Sequence, residues 1–502
     1  MWPGAGKPLH MNDPDKLFSH GYRLVSALFL RLLGLFYLIA FISLGSQVQG
    51  LAGSRGIMPI AELLADFTTR SGIERYFQVP TLFWLNADDA TLNFAIIAGC
   101  VAAVLILLQR WTRPALVAAF LLYLSFYHAC QPFLHFQWDG LLLEAGFLAI
   151  FLTPHSRVVI LLFRWLLFKL RFMSGLAKLT YSDPAWSGLT ALDTYFEVQP
   201  LPNPLSWYAH QLPEWLLRTG TAGTLVVELL VPFMMFLPRP WRFAAAWITI
   251  LWQVLIILTS NHNWFNFLTI ALCLFLFDDR ALQRVLPAGM LQRLEWRTSP
   301  PPHSRIVSRG ALGLLAGLVM VVSTMQLWDL VTHKGDPGTP LGKLVSYAET
   351  FRIANKYHVF PTMTTRRIEL EIEGSMDGRE WRPYRFNYKP QALDEHPRLV
   401  IPHQPRLDWQ MWFVTLHPKY MPWFESFLHA LLENSPTVTA LLRDNPFPDE
   451  APRYIRVFAW DYRFTDAEER AATGNWWRRE YLGPFRPLPW VFRQPDGEVS
   501  EQ

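Results

Sequence analysis

Ionisable side chains set inside apolar runs carry the chemistry of this sequence that most needs explaining. His135, Asp139 and Glu144 stand in the run 134–153, and Arg157, Arg164, Arg171 and Lys178 in the next, 157–179. Charge is costly in hydrocarbon, so such groups face a bundle interior and mark a polar site. The four basic residues recur every seven positions, close to two helical turns, and therefore share one stripe. Thr153-Pro154-His155-Ser156 joins the two runs tightly and makes them antiparallel neighbours. At 1.5 Å per residue from that turn, Asp139 and Arg171 each lie about 21 Å up, His135 about 27 Å and Lys178 about 31 Å. The expectation is an Asp139–Arg171 pair within the membrane, with Glu144 between Arg164 and Lys169. His135 and Lys178 would line an outward polar mouth, with His262 and Asn263 as boundary residues or further members. Charges of this kind either fix helix register alone or serve catalysis or a ligand, and both readings stay open.

These residues need a bilayer around them. The chain has 502 residues, of which 51% are hydrophobic and 17% charged, and its mean hydropathy is +0.15. Soluble domains carry roughly a quarter charged residues, and disordered chains lack apolar ones. Three cysteines exclude a disulfide scaffold. Cys100, Cys130 and Cys273 all lie in apolar runs and read as inert buried thiols. A net charge of +4, dispersed along the chain, gives no nucleic-acid footprint. No hydrolase elbow, phosphate loop, nucleotide fingerprint or spaced Cys/His set occurs, so no metal is expected.

A helix of about 20 apolar residues crosses a bilayer. Segments 24–44, 92–109, 221–237, 243–260 and 309–330 qualify plainly, and 114–133, 134–153, 157–179 and 263–278 with polar interruptions. That predicts nine spans. The first reads as a retained anchor, since no A-x-A cleavage signal accompanies it. With the N-terminus inside, the cytoplasmic loops carry Arg110, Arg113, Arg157, Arg239, Arg242 and the arginine-rich stretch 279–308, as the positive-inside rule requires. The connections near 132 and 261 carry no Lys or Arg; the loop 45–91, with Arg55, Arg70 and Arg75, is the exception. Residues 331–502 then lie outside the cytoplasm.

Beyond residue 331 the character changes. Lys334-Gly335-Asp336-Pro337-Gly338 reads as a linker. Residues 366–373, 380–388 and 454–464 read as strands, with a turn at Ser375–Gly378, and 407–416 and 420–433 as helices. The expected fold class is a polytopic α-helical membrane protein of about nine spans, residues 1–330, followed by an extracytoplasmic α+β, β-rich domain, residues 331–502. The outer loop 180–220 is rich in Trp, Pro and Tyr and includes Asn203 and Trp207; it reads as an interfacial cap or a docking surface. In 403–413, His403, Arg406 and Asp408 either cap a helix or form a polar site. Trp409 and Trp412 with Arg406 are residue types common at protein interfaces.

Several blocks together resemble the lipase maturation factor family of membrane proteins. They are Phe136–Phe147 (FQWDGLLLEAGF), Gln199–Tyr208 (QPLPNPLSWY), Asn266–Thr269, Glu373–Ser375 with Asp377-Gly378, Tyr388–Pro390 and Pro402–Phe413 (PHQPRLDWQMWF). The resemblance runs from about residue 20 to 490. It departs at Asn355-Lys356-Tyr357-His358-Val359-Phe360, where the family reads closer to N-S-Y-G-L-F. The resemblance implies a chaperone-like protein of the endoplasmic reticulum or bacterial inner membrane that helps secreted lipases reach their active state. It implies a lipase client as partner, lipid around the helices and no cofactor. Asn203, Trp207, His403, Arg406, Asp408, Trp409 and Trp412 become the client-binding candidates. Ser174-Gly175-Leu176-Ala177-Lys178-Leu179, with Trp186 and Gly188, is similar to a segment of the vitamin K-dependent γ-carboxylases. That second resemblance implies an alternative: a membrane enzyme with Lys178 as base and His135 beside it.

Overall fold

The computed structural model describes residues 21–153, 156–289, 291, 309–485, 491–493 and 499–501. At each of the nine expected places the described residues form a helix. These are α1 (Arg23–Gly45), α3 (Asp89–Leu107), α4 (Thr112–Ala129), α5 (Gln137–Ile150), α6 (Arg157–Thr180), α8 (Glu214–Leu229), α9 (Arg239–Thr259), α10 (Phe265–Leu272) and α11 (Arg309–Thr332). Among the further helices outside that set are α2 (Ile60–Arg70) and α7 (Ala191–Val198). Five segments are long and apolar enough to cross a membrane: Arg23–Gly45, Asp89–Leu107, Glu214–Met234, Arg239–Thr259 and Gly310–Thr332. The others are shorter or carry charge. Helix α5 has 14 residues, about 21 Å, less than the hydrocarbon thickness of about 30 Å. Helix α10 is extended by one tighter turn to Leu276. Room at the N-terminal ends of these two short helices is taken up by residues 352–360 and 398–409.

The bundle packs through aromatic contacts. Phe163 stacks on Phe275 at 4.4 Å, and Phe29 meets each ring edge-on at 4.8 Å. One end is tied by acids next to basic residues. Asp279 accepts from the backbone amides of Arg23, Leu24 and Val25 at 2.8–3.1 Å and so caps α1. Arg239 pairs with Asp278 at 2.7 Å, and Arg242 donates to the Leu276 carbonyl at 2.6 Å.

The C-terminal part begins with α12 (Pro340–Thr350), which packs on α11 through Val322, Ala348 and Ala354. Its sheet is built on β1 (Arg367–Ser375) and β3 (Tyr454–Phe464), antiparallel and in register from Arg367 opposite Tyr462 to Ser375 opposite Tyr454. The expected strand 380–388 shrinks to β2 (Arg382–Pro383), paired with β1 at Glu373 and Gly374. Pro383 has no amide hydrogen to give, which ends a ladder. Strand β4 (Trp477–Pro484) pairs with β3 on its other side, as does β5 (Val491–Arg493), which carries β6 (Val499–Glu501). Helices α13 (Arg406–Val414) and α14 (Met421–Leu432) match the two expected from sequence. One continuous apolar core runs from Phe29 and Leu141 in the bundle to Tyr357, Leu370, Trp409 and Trp423.

Candidate functional site

The residues that drew attention in sequence meet where the C-terminal part enters the bundle, with partners other than those expected. Asp139 sits in the first turn of α5, where a carboxylate is favoured by the helix dipole. Arg406 grips it with two bonds, Nη1 to Oδ2 at 2.7 Å and Nη2 to Oδ1 at 2.8 Å, and Tyr123 Oη donates to Oδ1 at 2.6 Å. Both charged residues are 0% exposed. Arg406 also donates to the Phe133 carbonyl at 3.1 Å. Paired forks of this kind are the strongest geometry for Arg and carboxylate. The expected Asp139–Arg171 pair is therefore replaced: Arg171 faces Glu228 of α8 at 3.3 Å. Depth along two helices brought Asp139 and Arg171 level, but not the azimuth that turns each toward a different neighbour.

The second carboxylate of α5, Glu144, is also claimed from two sides. Lys169 donates to Oε1 at 2.6 Å. On Oε2 converge the Asn355 amide at 2.8 Å, Asn355 Nδ2 at 3.0 Å and Tyr357 Oη at 2.9 Å. Asn355 Nδ2 also reaches the Gly140 carbonyl at 3.0 Å. The segment that departs from the family pattern, 355–360, is thus the one that fills the bundle. Arg164 is not in this group. It donates to the Phe275 carbonyl at 2.9 Å and to the Tyr22 hydroxyl, near the opposite end. The single polar cluster expected from Asp139, Glu144, Arg164 and Arg171 is four separate contacts.

Lys178 and His135 do not form a joint mouth. Lys178 Nζ pairs with Glu228 at 2.8 Å, donates to the Val359 carbonyl at 2.7 Å and lies 4.8 Å over the Trp186 ring. Trp186 Nε1 donates to the Phe360 carbonyl at 3.1 Å. His135 is exposed and stacks on Tyr127 at 4.7 Å. Through these contacts Lys178 positions the 359–360 backbone. A Cβ on Gly175 would come within 2.8 Å of Glu228 Cβ, so glycine permits the approach of α6 and α8 that makes this pair.

The segment 398–409 is held along its length. Asn261 donates to the Arg398 carbonyl at 2.8 Å and accepts from the Val400 amide at 3.1 Å. Ser43 Oγ bonds His403 Nδ1 at 2.9 Å and accepts from the Gln404 amide at 3.0 Å. Asn263 Nδ2 donates to Gln404 Oε1 at 2.7 Å, and Gln47 Oε1 accepts from the Arg406 amide at 2.7 Å. His262, apart from these, bonds the Tyr195 hydroxyl at 3.0 Å. Burial and the Arg406 charge hold His403 below the ordinary imidazole range. Asp408 accepts from the Tyr388 and Lys389 amides at 2.6 and 3.1 Å; burial nonetheless pushes it up to about 6.

Most of the expected client contacts are therefore interior. Asn203 ties its own loop, accepting from the Leu205 and Ser206 amides at 3.0 Å and donating to the Leu258 carbonyl at 3.1 Å. Trp207 is buried and donates to the Thr465 carbonyl at 2.8 Å. Arg406, Asp408 and Trp409 are buried, His403 is half-buried, and Trp412 keeps a partly open face. Apolar periodicity and residue type mark these positions as special; they cannot tell a partner in the same chain from one in another.

Sequence reasoning passed over Arg367. It is fully buried and donates to the carbonyls of Glu197 and Pro200 at 2.8 and 2.9 Å, fastening β1 to the end of α7 and the chain that follows it. An arginine opening an alternating strand gives no warning of this.

The arrangement is a plug and its sockets: two turns of the C-terminal part satisfy carboxylates, lysine and amides at the ends of the bundle helices. Family models match on either side of this junction, the "Lipase maturation factor transmembrane domain" over residues 24–284 and the "Lipase maturation factor C-terminal domain" over residues 353–487. The chain is 33% identical to lipase maturation factor 2 of Xenopus laevis, over 93% of this chain and 82% of that protein. It is 32% identical to human lipase maturation factor 2, over 93% and 83%. It is also 32% identical to bovine lipase maturation factor 1, over 97% and 92%. No solved structure matches the chain significantly. An integral membrane protein with both matched parts in order, the chain belongs to the lipase maturation factor family.

Proposed function

We propose that this protein helps secreted lipases reach their folded, active state, working as a membrane-bound chaperone without chemistry of its own. The observation that carries this reading is similarity to lipase maturation factors along nearly the whole chain, both matched parts included. The junction supports it. Lys178, the base of the alternative enzyme reading, is engaged by Glu228 and the Val359 carbonyl, and holds backbone in place.

In this reading the nine helical segments all cross the membrane, residues 1–330 form the membrane part, and residues 331–502 stand outside the cytoplasm. Two observations support the orientation. Contacts with the C-terminal part come from Ser43, Gln47, His128, Asp139, Lys178, Trp207 and Asn261, at the helix ends that would face outward. The loops with Arg110, Arg113, Arg239, Arg242, Arg280 and Arg284 join the other ends. The membrane is the bacterial inner membrane or that of the endoplasmic reticulum, and the client is an extracytoplasmic lipase.

Deletion of the protein, followed by assay of secreted lipase, tests the function: antigen should persist while specific activity falls, and complementation should restore it. Unchanged specific activity would overturn the reading. Protease added to sealed, right-side-out vesicles should digest residues 331–502; protection there would overturn the orientation.

A further inference from the structure

Among the stretches outside the spanning helices that expose large apolar side chains, two lie side by side. The first is 73–85, where Ile73 is 76% and Leu85 88% exposed, with Tyr76, Phe77 and Leu82 also open. The second is α12, where Leu341, Leu344 and Tyr347 are exposed at a helical spacing of three. Val345 and Ala348, each one position on from Leu344 and Tyr347, turn to α11 and pack on it. The short helix Arg75–Gln78 lies against α12, so the two stretches form one surface.

The depth of this surface follows from its hydrogen bonds. The Leu82 amide donates to Ser125 Oγ at 2.9 Å, and Phe83 meets Phe126 edge-on at 5.0 Å. Ser125 lies four residues inside the end of α4, about 6 Å below it. At the other edge, His128 Nε2 bonds the Thr350 carbonyl at 3.0 Å. The patch therefore sits level with the last turn of α4. Four residues after Leu85 the chain enters α3, whose Phe94, Ile97 and Val101 are exposed on a helix long and apolar enough to cross a membrane. Arg75 stacks over Tyr76 and Trp84 at 4.9 and 5.4 Å, a basic and aromatic composition suited to the headgroup level.

We propose that residues 73–85 and the exposed side of α12 are immersed in the interfacial layer of the bilayer, with lipid as their occupant. Apolar side chains of interfacial segments lie about 5–10 Å into the headgroup and acyl boundary. The exposed apolar patch is then a collar that seats the C-terminal part on the membrane, and a water-filled surface open to a client is the competing case. The depth rests on α4 crossing the membrane, as proposed above, and the choice of leaflet on the proposed orientation.

The test places an environment-sensitive fluorophore on Phe77→Cys, Leu85→Cys and Tyr347→Cys, in the full chain with Cys100, Cys130 and Cys273 replaced by Ala, reconstituted in phosphatidylcholine vesicles. Spin-labelled lipid with the label near the headgroup should quench all three strongly, lipid labelled deep in the chain weakly, and aqueous iodide hardly at all. A fluorophore on Arg379→Cys, in the turn after β1, is the aqueous control and should be quenched by iodide. Quenching of the three sites by iodide, or strongest quenching by the deep label, would overturn the proposal. The unmodified chain gives an independent measurement: a photoactivatable lipid with its diazirine near the headgroup should label peptides from 73–85, and absence of label there would also overturn it. If the C-terminal part faced the cytoplasm, lipid quenching would persist and only the protease result would reverse.

Discussion

At the scale of single residues, the strongest commitment is the buried Arg406–Asp139 fork. Removing one member leaves the other charge without a partner inside the protein, which typically costs about 3–5 kcal/mol. Arg406→Gln and Asp139→Asn should each lower the unfolding midpoint in detergent and expose the 398–409 segment to protease. The double variant should cost far less than the two added together, because the penalty belongs to the orphaned charge. Additive losses would mean the two residues act independently. Asp408 gives a pH signature. Its carboxyl titrates near 6 in the fold, against about 3.9 in an unfolded chain. The folded state therefore holds the proton more tightly, and the contribution of Asp408 is complete below about pH 4 and is lost as pH rises through 6. His403, held below the ordinary imidazole value, acts in the opposite direction. Comparing Asp408→Asn with the parent isolates the first effect: the difference in unfolding midpoint should move in the variant's favour between pH 4 and 6 and stay level above.

At the scale of elements, the junction depends on helices that begin low and on one that comes close. The short α5 puts Asp139 in its first turn, within reach of a chain segment entering from above. The close approach of α6 and α8 at Gly175 sets Glu228 between Lys178 and Arg171. Gly175→Ala should push the helices apart at a cost of about 1–3 kcal/mol, as overpacking does. Circular dichroism melts would show the loss, and a crosslink between cysteines placed on the two helices should weaken. Gly289→Ala, where a Cβ meets nothing within 4 Å, is the control. Tyr357→Phe removes one of three donors on Glu144 Oε2 and should cost about 1–3 kcal/mol, the penalty of an under-satisfied buried group.

At the scale of the molecule, the C-terminal part is built to be completed by the bundle. Arg367 and Arg406 are both fully buried, and both find partners on residues before 331. Trp207, in the connection between α7 and α8, joins Tyr462, Phe464 and Trp477 in one apolar cluster. Expressed alone, residues 331–502 should therefore lack the cooperative unfolding transition seen when the whole chain is heated. A sharp transition in the isolated part would show that it folds without the bundle.

Much of this molecule is legible in order of residues alone. Twenty-residue apolar runs, arginine-bearing loops and alternating strands are local patterns, since each reflects what one segment must bury or expose, and they located the helices, β1 and β3. The same local logic marked Asp139, Glu144 and Lys178 as costly residues in need of partners, and Arg406 only as a helix-capping, polar-site or interface residue. Which partner each one takes was decided by tertiary structure. Asp139 and Arg406 are 267 positions apart, and no periodicity spans that separation. A buried charge states in sequence that something must answer it; only the packing of three helices and an incoming loop determines what does.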